Sequence, residues 1–231
     1  MSLGVKQAAF LHPTFPNLVL FFSGNQYVII DAQVQDRNKN ILFGPRYIAQ
    51  DWPALVMAGF DSGVDAILPD PKDPTTAYFF SDGRYALVKV SPPGGPQLST
   101  IVDGPHNLSQ WKAINKAGYR RVDGVFTITS GGAYYAYVFS GDTYISVDID
   151  PASDRSWSVR KISTEWTSLN TLGSAFVQDL SVVFPAPGDP RQAYFLKGDK
   201  YCLVGGIVSC TYHIRCVVKG LELTVPGSAR R

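Results

Sequence analysis

Apolar residues fall in short runs along this chain, each ended by glycine, asparagine or aspartate. Ala77-Tyr78-Phe79-Phe80 runs into Ser81-Asp82-Gly83, and Ala193-Tyr194-Phe195-Leu196 runs into Lys197-Gly198-Asp199. Beyond the break, apolar and polar positions alternate, as in Tyr144-Ile145-Ser146-Val147-Asp148. Two strands with one buried face, joined by a tight turn, give this pattern. Glycine beside asparagine or aspartate supplies the positive φ that the turn needs.

The hairpin repeats. Phe22-Ser23-Gly24-Asn25-Gln26-Tyr27 returns as Phe80-Ser81-Asp82-Gly83-Arg84-Tyr85, as Phe139-Ser140-Gly141-Asp142-Thr143-Tyr144 and as Leu196-Lys197-Gly198-Asp199-Lys200-Tyr201. The closing tyrosines 27, 85, 144 and 201 are 58, 59 and 57 residues apart. About twenty residues before each tyrosine lies a short run of small and apolar residues. These runs are Gln7-Ala8-Ala9-Phe10, Asp65-Ala66-Ile67-Leu68, Asp123-Gly124-Val125-Phe126 and Asp179-Leu180-Ser181-Val182. Small residues suit a strand crowded against a common axis. After the hairpin comes an outer strand (40–43, 100–102, 158–162) and then one helical turn carrying Trp52, Trp111 or Trp166. The fourth copy has no such tryptophan.

Four units of four strands predict an all-β chain, a four-bladed β-propeller of antiparallel blades around a central tunnel. The expected blades are 6–56, 57–115, 116–170 and 171–225, in a single domain spanning 1–231. Composition agrees: 12 Tyr, 13 Phe, 21 Gly and 16 Pro stand against 2 Met, which favours strands and turns over helices.

The motifs resemble the hemopexin-like repeat family over about residues 6 to 218. The likeness is carried by the Asp-Ala strand start, the aromatic-x-Gly-Asp/Asn-x-Tyr hairpin, and Gly-Pro-x-x-Ile ahead of Trp-Pro-x-Leu at Gly44 to Leu55. Stand-alone hemopexin-fold seed albumins are the nearest in flavour, because the first repeat opens on an amide and no protease domain is attached. The resemblance implies a calcium or sodium ion on main-chain oxygens at the first-strand position: Gln7, Asp65, Asp123 and Asp179. A second ring, two residues along each strand, falls on Ala9, Ile67, Val125 and Ser181. Inward carbonyls in a ring suit a hard cation. The alternative is that the aspartates only brace the turn before the strand. Many members tie the last blade to the first with a disulfide. Here no cysteine precedes Cys202, so closure must come from strand pairing and packing; Cys202, Cys210 and Cys216 read as reduced thiols, with one local disulfide and one free thiol as the alternative.

Ligand candidates follow. A polyamine would use an acidic mouth at Asp65, Asp123 and Asp179. Haem needs an axial ligand, and His12, His106 and His213 are the histidines, with His12 near a tunnel end and a homodimer interface as one setting. A lectin-like or protein-interaction module on the outer blade surfaces is the alternative. For it Trp157, out of register with the other tryptophans and beside Asp154 and Arg155, is the candidate sugar platform.

The net charge of +2 and the scattered basic pairs, Arg120-Arg121 among them, argue against nucleic acid and read as solvated turns. No apolar run reaches the ~20 residues that span a bilayer. The start, Met1 to Ala9, lacks the pattern of a secretory leader, so a cytoplasmic or storage compartment is expected, with a mature secreted form as the other choice. No nucleophile, metalloprotease or nucleotide motif is present, so a non-enzymatic role is expected.

Overall fold

The computed structural model describes residues 5–12, 14–34, 40–90, 99–130, 133–198, 200–205 and 215–217. The expected contributions of Asp199, Cys210 and His213 lie outside these residues. Four antiparallel sheets of four strands each follow one another along the chain. The first holds β1 (Gln7–His12), β2 (Phe15–Ser23), β3 (Gln26–Asp31) and β4 (Ile41–Tyr47). The second holds β5 (Ala66–Pro69), β6 (Thr76–Ser81), β7 (Arg84–Lys89) and β8 (Thr100–Asn107). The third holds β9 (Gly124–Ser130), β10 (Ala133–Ser140), β11 (Thr143–Asp148) and β12 (Arg160–Lys161). The fourth holds β13 (Val182–Ala186), β14 (Asp189–Lys197), β15 (Lys200–Gly205) and β16 (Arg215–Val217). The first strands of the sheets neighbour one another in a closed ring, β1 beside β5, β5 beside β9, β9 beside β13, and β13 beside β1. The molecule is a four-bladed β-propeller.

The hairpin tips are two-residue loops, set by the pairs Ser23↔Gln26, Ser81↔Arg84 and Ser140↔Thr143. Positive φ at Asp82 and Gly83 makes one of them a primed turn whose twist matches its strands. The outer strands run further than expected. β4 and β8 continue through Gly44-Pro45 and Gly104-Pro105, past a register shift opposite Tyr27 and Tyr85. Gly44 takes φ 94° there, and a Cβ would stand 2.6 Å from the Tyr27 carbonyl oxygen, so only glycine lets the outer strand close on the repeat tyrosine. The third blade lacks Gly-Pro, and its outer strand is reduced to Arg160–Lys161 with one further bridge at Val147↔Ser156.

Helical turns cover the blade junctions. Each of the three repeat tryptophans stands between two of them: α1 (Ile48–Asp51) and α2 (Pro53–Ala58) flank Trp52. A 3₁₀ turn (Leu108–Gln110) and α3 (Lys112–Lys116) flank Trp111, and α4 (Ile162–Glu165) and α5 (Thr167–Thr171) flank Trp166. The apolar core is four wedges, one per blade boundary. Phe10, Phe22, Trp52 and Phe79 fill the first, Tyr78, Phe80, Trp111 and Ile145 the second, and Phe126, Phe139, Trp166 and Phe195 the third. Trp52 meets Tyr27 nearly edge-on at 5.9 Å, Trp111 meets Tyr85 at 5.3 Å, and Trp166 meets Tyr144 at 5.7 Å. Among the described residues, the wedge closing blade four on blade one holds Ala9, Val19, Val182, Phe184 and Leu196, with Phe21, Tyr194 and Tyr201 half-buried against them and no tryptophan. Cys202 is buried in the third wedge.

Candidate functional site at one mouth of the tunnel

The inner strands all begin at one end of the tunnel, where their first residues meet the hairpin tips. The register aligns the four blades: Ala8↔Phe22, Ala66↔Phe80, Gly124↔Phe139 and Val182↔Leu196 are equivalent pairs. The residue before each pair is therefore Gln7, Asp65, Asp123 and Ser181. Asp179 is not in this ring; it sits two residues earlier, with φ 46°, and its N–H donates to the Gly141 carbonyl at 2.8 Å. The second ring shifts likewise, to Ala9, Ile67, Val125 and Val183, all buried. Ser181 thus moves from the second ring to the first. The displacement has a plain cause. The first-ring positions 7, 65, 123 and 181 are each 58 residues apart, and Asp179 matches the other copies by residue type alone, two residues ahead of that step.

Side chains of the first ring brace the hairpin tips. The Asp65 carboxylate accepts the Asp82 N–H at 2.8 Å, Asp123 accepts the Gly141 N–H at 2.6 Å, and the Ser181 hydroxyl accepts the Gly198 N–H at 3.2 Å. In blade one a main-chain oxygen does this work: Gly24 donates to the Lys6 carbonyl at 2.8 Å. Burial pushes both Asp65 and Asp123 above the usual carboxylate range, against the pull of these amide bonds and of nearby Lys6 and Arg121. Asp123 is raised further by the charges of Asp179 and Asp65.

Basic side chains reach the same mouth, which the sequence reading did not foresee. Lys6 pairs with Asp82 at 2.6 Å and donates to the Ser81 hydroxyl at 2.9 Å, joining blade one to blade two. Arg121 was expected in a solvated turn. Instead its Nε meets the Asp123 carboxylate at 3.0 Å while an Nη donates to the Asp179 carboxylate, joining blade three to blade four. Lys197 donates to the carbonyl oxygens of Gln178 (3.1 Å) and Asp179. The only hint in the sequence was spacing, with Lys6 one residue before Gln7 and Arg121 two before Asp123.

No protein-family model matches the chain. Albumin-2 of Lathyrus sativus is 24% identical over 195 residues, 81% of this chain and 80% of that protein. Among solved structures, a hemopexin-fold protein from cow pea, CP4, superposes with TM-score 0.72 at 25% identity, over 90% of this chain and 92% of that one. The chain has the hemopexin fold. A Cicer arietinum plant lectin with two metal binding sites superposes on this hemopexin fold with TM-score 0.78 at 22% identity, over 94% of this chain and 92% of that one.

Within the hemopexin fold, the two ligand candidates away from the ring fall apart from each other. His12 is buried at the far end of β1; its Nδ1 accepts the Thr14 N–H at 3.2 Å and its ring packs on Phe15 at 5.1 Å. It serves the β1–β2 turn, which gives an axial haem ligand no free approach. Trp157 is half-buried on the outer edge of blade three. It stands edge-on to Tyr135 at 4.9 Å, and the Arg155 guanidinium lies 5.3 Å from the Trp157 ring and 5.7 Å from that of Tyr135. His106 bonds Asp103 at 2.9 Å on β8. Among the described residues no three His, Cys, Asp or Glu side chains gather as a metal-ligating group. The donors at the ring are carbonyl, hydroxyl and carboxylate oxygens, hard ligands of the kind a hard cation takes.

Proposed function

We propose that this propeller is a non-catalytic binding protein. It holds a calcium ion on the main-chain oxygens of the first ring, Gln7, Asp65, Asp123 and Ser181, with a sodium ion at Ala9, Ile67, Val125 and Val183 as a second site. A storage setting accords with the seed albumins it is similar to. The observation that carries the reading is the pair of half-buried carboxylates, Asp65 and Asp123, both raised by desolvation at the head of a closed ring of inner strands. A cation there would relieve the cost of keeping them ionised. In this reading the carboxylates stay on the Asp82 and Gly141 amides and fix where the strand carbonyls lie.

Elemental analysis and thermal unfolding, before and after exhaustive chelation, test it. At calcium a hundredfold above Kd, binding to the folded chain alone adds about 2.7 kcal/mol. For a chain of this length that raises the melting temperature by about 5–10 °C. Near-stoichiometric calcium with a reversible shift of that size supports the ring. Absence of metal with no shift refutes it.

A second reading is a lectin-like surface, favoured by the corner of Trp157, Tyr135 and Arg155. Two perpendicular rings beside a guanidinium offer an apolar face and hydrogen-bond donors together, as a sugar ring requires.

A further inference from the structure

We infer that Arg121 is the resident cation of the tunnel mouth and decides which soluble cations can occupy it. The inference rests on reading this mouth as a cation entrance, but its test stands apart from the tunnel ion. Among the described residues four carboxylates meet at the mouth: Asp65, Asp82, Asp123 and Asp179. Three basic side chains answer them. Lys6 takes Asp82, Lys197 takes the main-chain oxygens of Gln178 and Asp179, and Arg121 alone bridges two carboxylates. That bridge crosses a blade boundary, from Asp123 on the start of β9 to Asp179 ahead of β13.

The two anchors differ in stiffness. Asp123 is fixed by the Gly141 N–H it accepts at 2.6 Å, and its side chain is only 11% exposed. Asp179 is held through its main chain, because its N–H bonds the Gly141 carbonyl and Lys197 holds its own carbonyl. Hairpin tip, strand entry and guanidinium therefore lock one another. The planar guanidinium presents several donors in fixed directions, which lets one side chain serve two carboxylates at once. A diamine or polyamine approaching the mouth finds its best pair of carboxylates already bridged. Neutralising Arg121 changes the mouth from four acids against three bases to four against two.

The test is calorimetric titration with spermine at low and at physiological ionic strength. It uses the full wild-type chain, Arg121→Gln, Arg121→Met (which keeps the aliphatic stem), Arg121→Lys, and the double variant Arg121→Gln with Asp179→Asn. Circular dichroism and melting curves check each fold. Removing one unit charge a few ångströms from the bound amine should strengthen binding about tenfold or more in both neutral variants. Arg121→Lys should stay within a fewfold of wild type, and adding Asp179→Asn should cancel most of the gain. Added salt should shrink the difference, since the mouth is partly exposed. Equal spermine affinity in wild type and both neutral variants overturns the inference. So does a gain that survives loss of Asp179. If chelation shows a tunnel calcium while the neutral variants gain nothing, Arg121 is not the gate but the ion reading stands. If no calcium is found while the neutral variants gain spermine binding, the gate stands without the ion.

Discussion

Gly124→Ala is the most direct probe of how tightly the inner strands crowd the axis. Gly124 opens β9, and a Cβ built on it would lie 2.7 Å from Val183 Cγ2, 3.0 Å from Val183 Cβ and 3.2 Å from the Val183 main-chain nitrogen, all on neighbouring β13. The first contact is with a methyl group that is fixed by a β-branched rotamer, and the last is with backbone, so neither can swing aside. Overpacking of this kind costs about 1–3 kcal/mol. Gly124 has no positive φ, so alanine also gains about 0.4–1 kcal/mol by restricting the unfolded chain. The net expectation is a loss of about 1–2 kcal/mol, a fall in melting temperature of roughly 2–8 °C for a chain of this size. Val183→Ala alone costs its buried methyls, but in the double variant the new methyl fills the space they leave. Urea and thermal melts of the four proteins should therefore give a favourable coupling of about 1 kcal/mol. If Gly124→Ala is as stable as wild type, or the two changes simply add, the inner strands are not in close contact, and small residues at the strand starts need another explanation.

Asp51→Asn tests the anchor beneath the first tryptophan. Asp51 is buried, accepts two bonds from Arg46 at 2.5 and 2.8 Å and one from the Tyr27 hydroxyl at 2.9 Å, and the Arg46 bonds hold its carboxyl below the usual range. A depressed carboxyl contributes stability that is full above its unfolded value of about 3.9 and lost as pH falls through the lower folded value. The variant should be less stable at neutral pH and should lose less on acidification, read from melts across pH 2–7. An unchanged acid limb would refute the role. Trp157→Ala should leave the melting temperature nearly unchanged, within about 2–4 °C, because the ring is half-buried at the edge of blade three. A large fall would show that Trp157 belongs to the third wedge and would remove it as a sugar platform.

Much of this architecture was legible because the repeat is written in residues with one job each. The glycine-bearing tips, the repeat tyrosines and the three tryptophans between helical turns recur at nearly constant steps, and each has a local steric reason to stay. The mouth was less legible. Asp65 and Asp123 were found because they stand at the strand start in the same form, whereas Ser181 does the same bracing with a hydroxyl and so carried no chemical likeness to follow. Asp179 has the right residue type at the wrong register, and only the pairing Val182↔Leu196 exposes the slip. Arg121 and Lys6 were missed for a different reason. Their function is to reach across a blade boundary, and a repeat aligns each blade with its copies but says nothing of what a side chain meets in the next one.

That difference bears on where this chain departs from its own pattern. Three blade boundaries are each plugged by a buried tryptophan set against the repeat tyrosine; among the described residues the fourth holds Ala9, Val19, Val182, Phe184 and Leu196, with Phe21, Tyr194 and Tyr201 half-buried against them. Burial removes apolar area from water, and among the described residues the seam between the first and last blades does so with smaller aliphatic and phenyl side chains in place of a tryptophan. The Arg121 bridge lies at the boundary next to that seam, and Lys6 lies at the first strand that borders it. The ion pairs at the mouth are partly exposed and add little stability by themselves. Their larger effect is to fix the entries of β9 and β13, the strands whose carbonyls a tunnel ion would share. Cation binding and ring closure should then be coupled: an ion held by all four inner strands draws on every boundary at once, including the one that has no tryptophan.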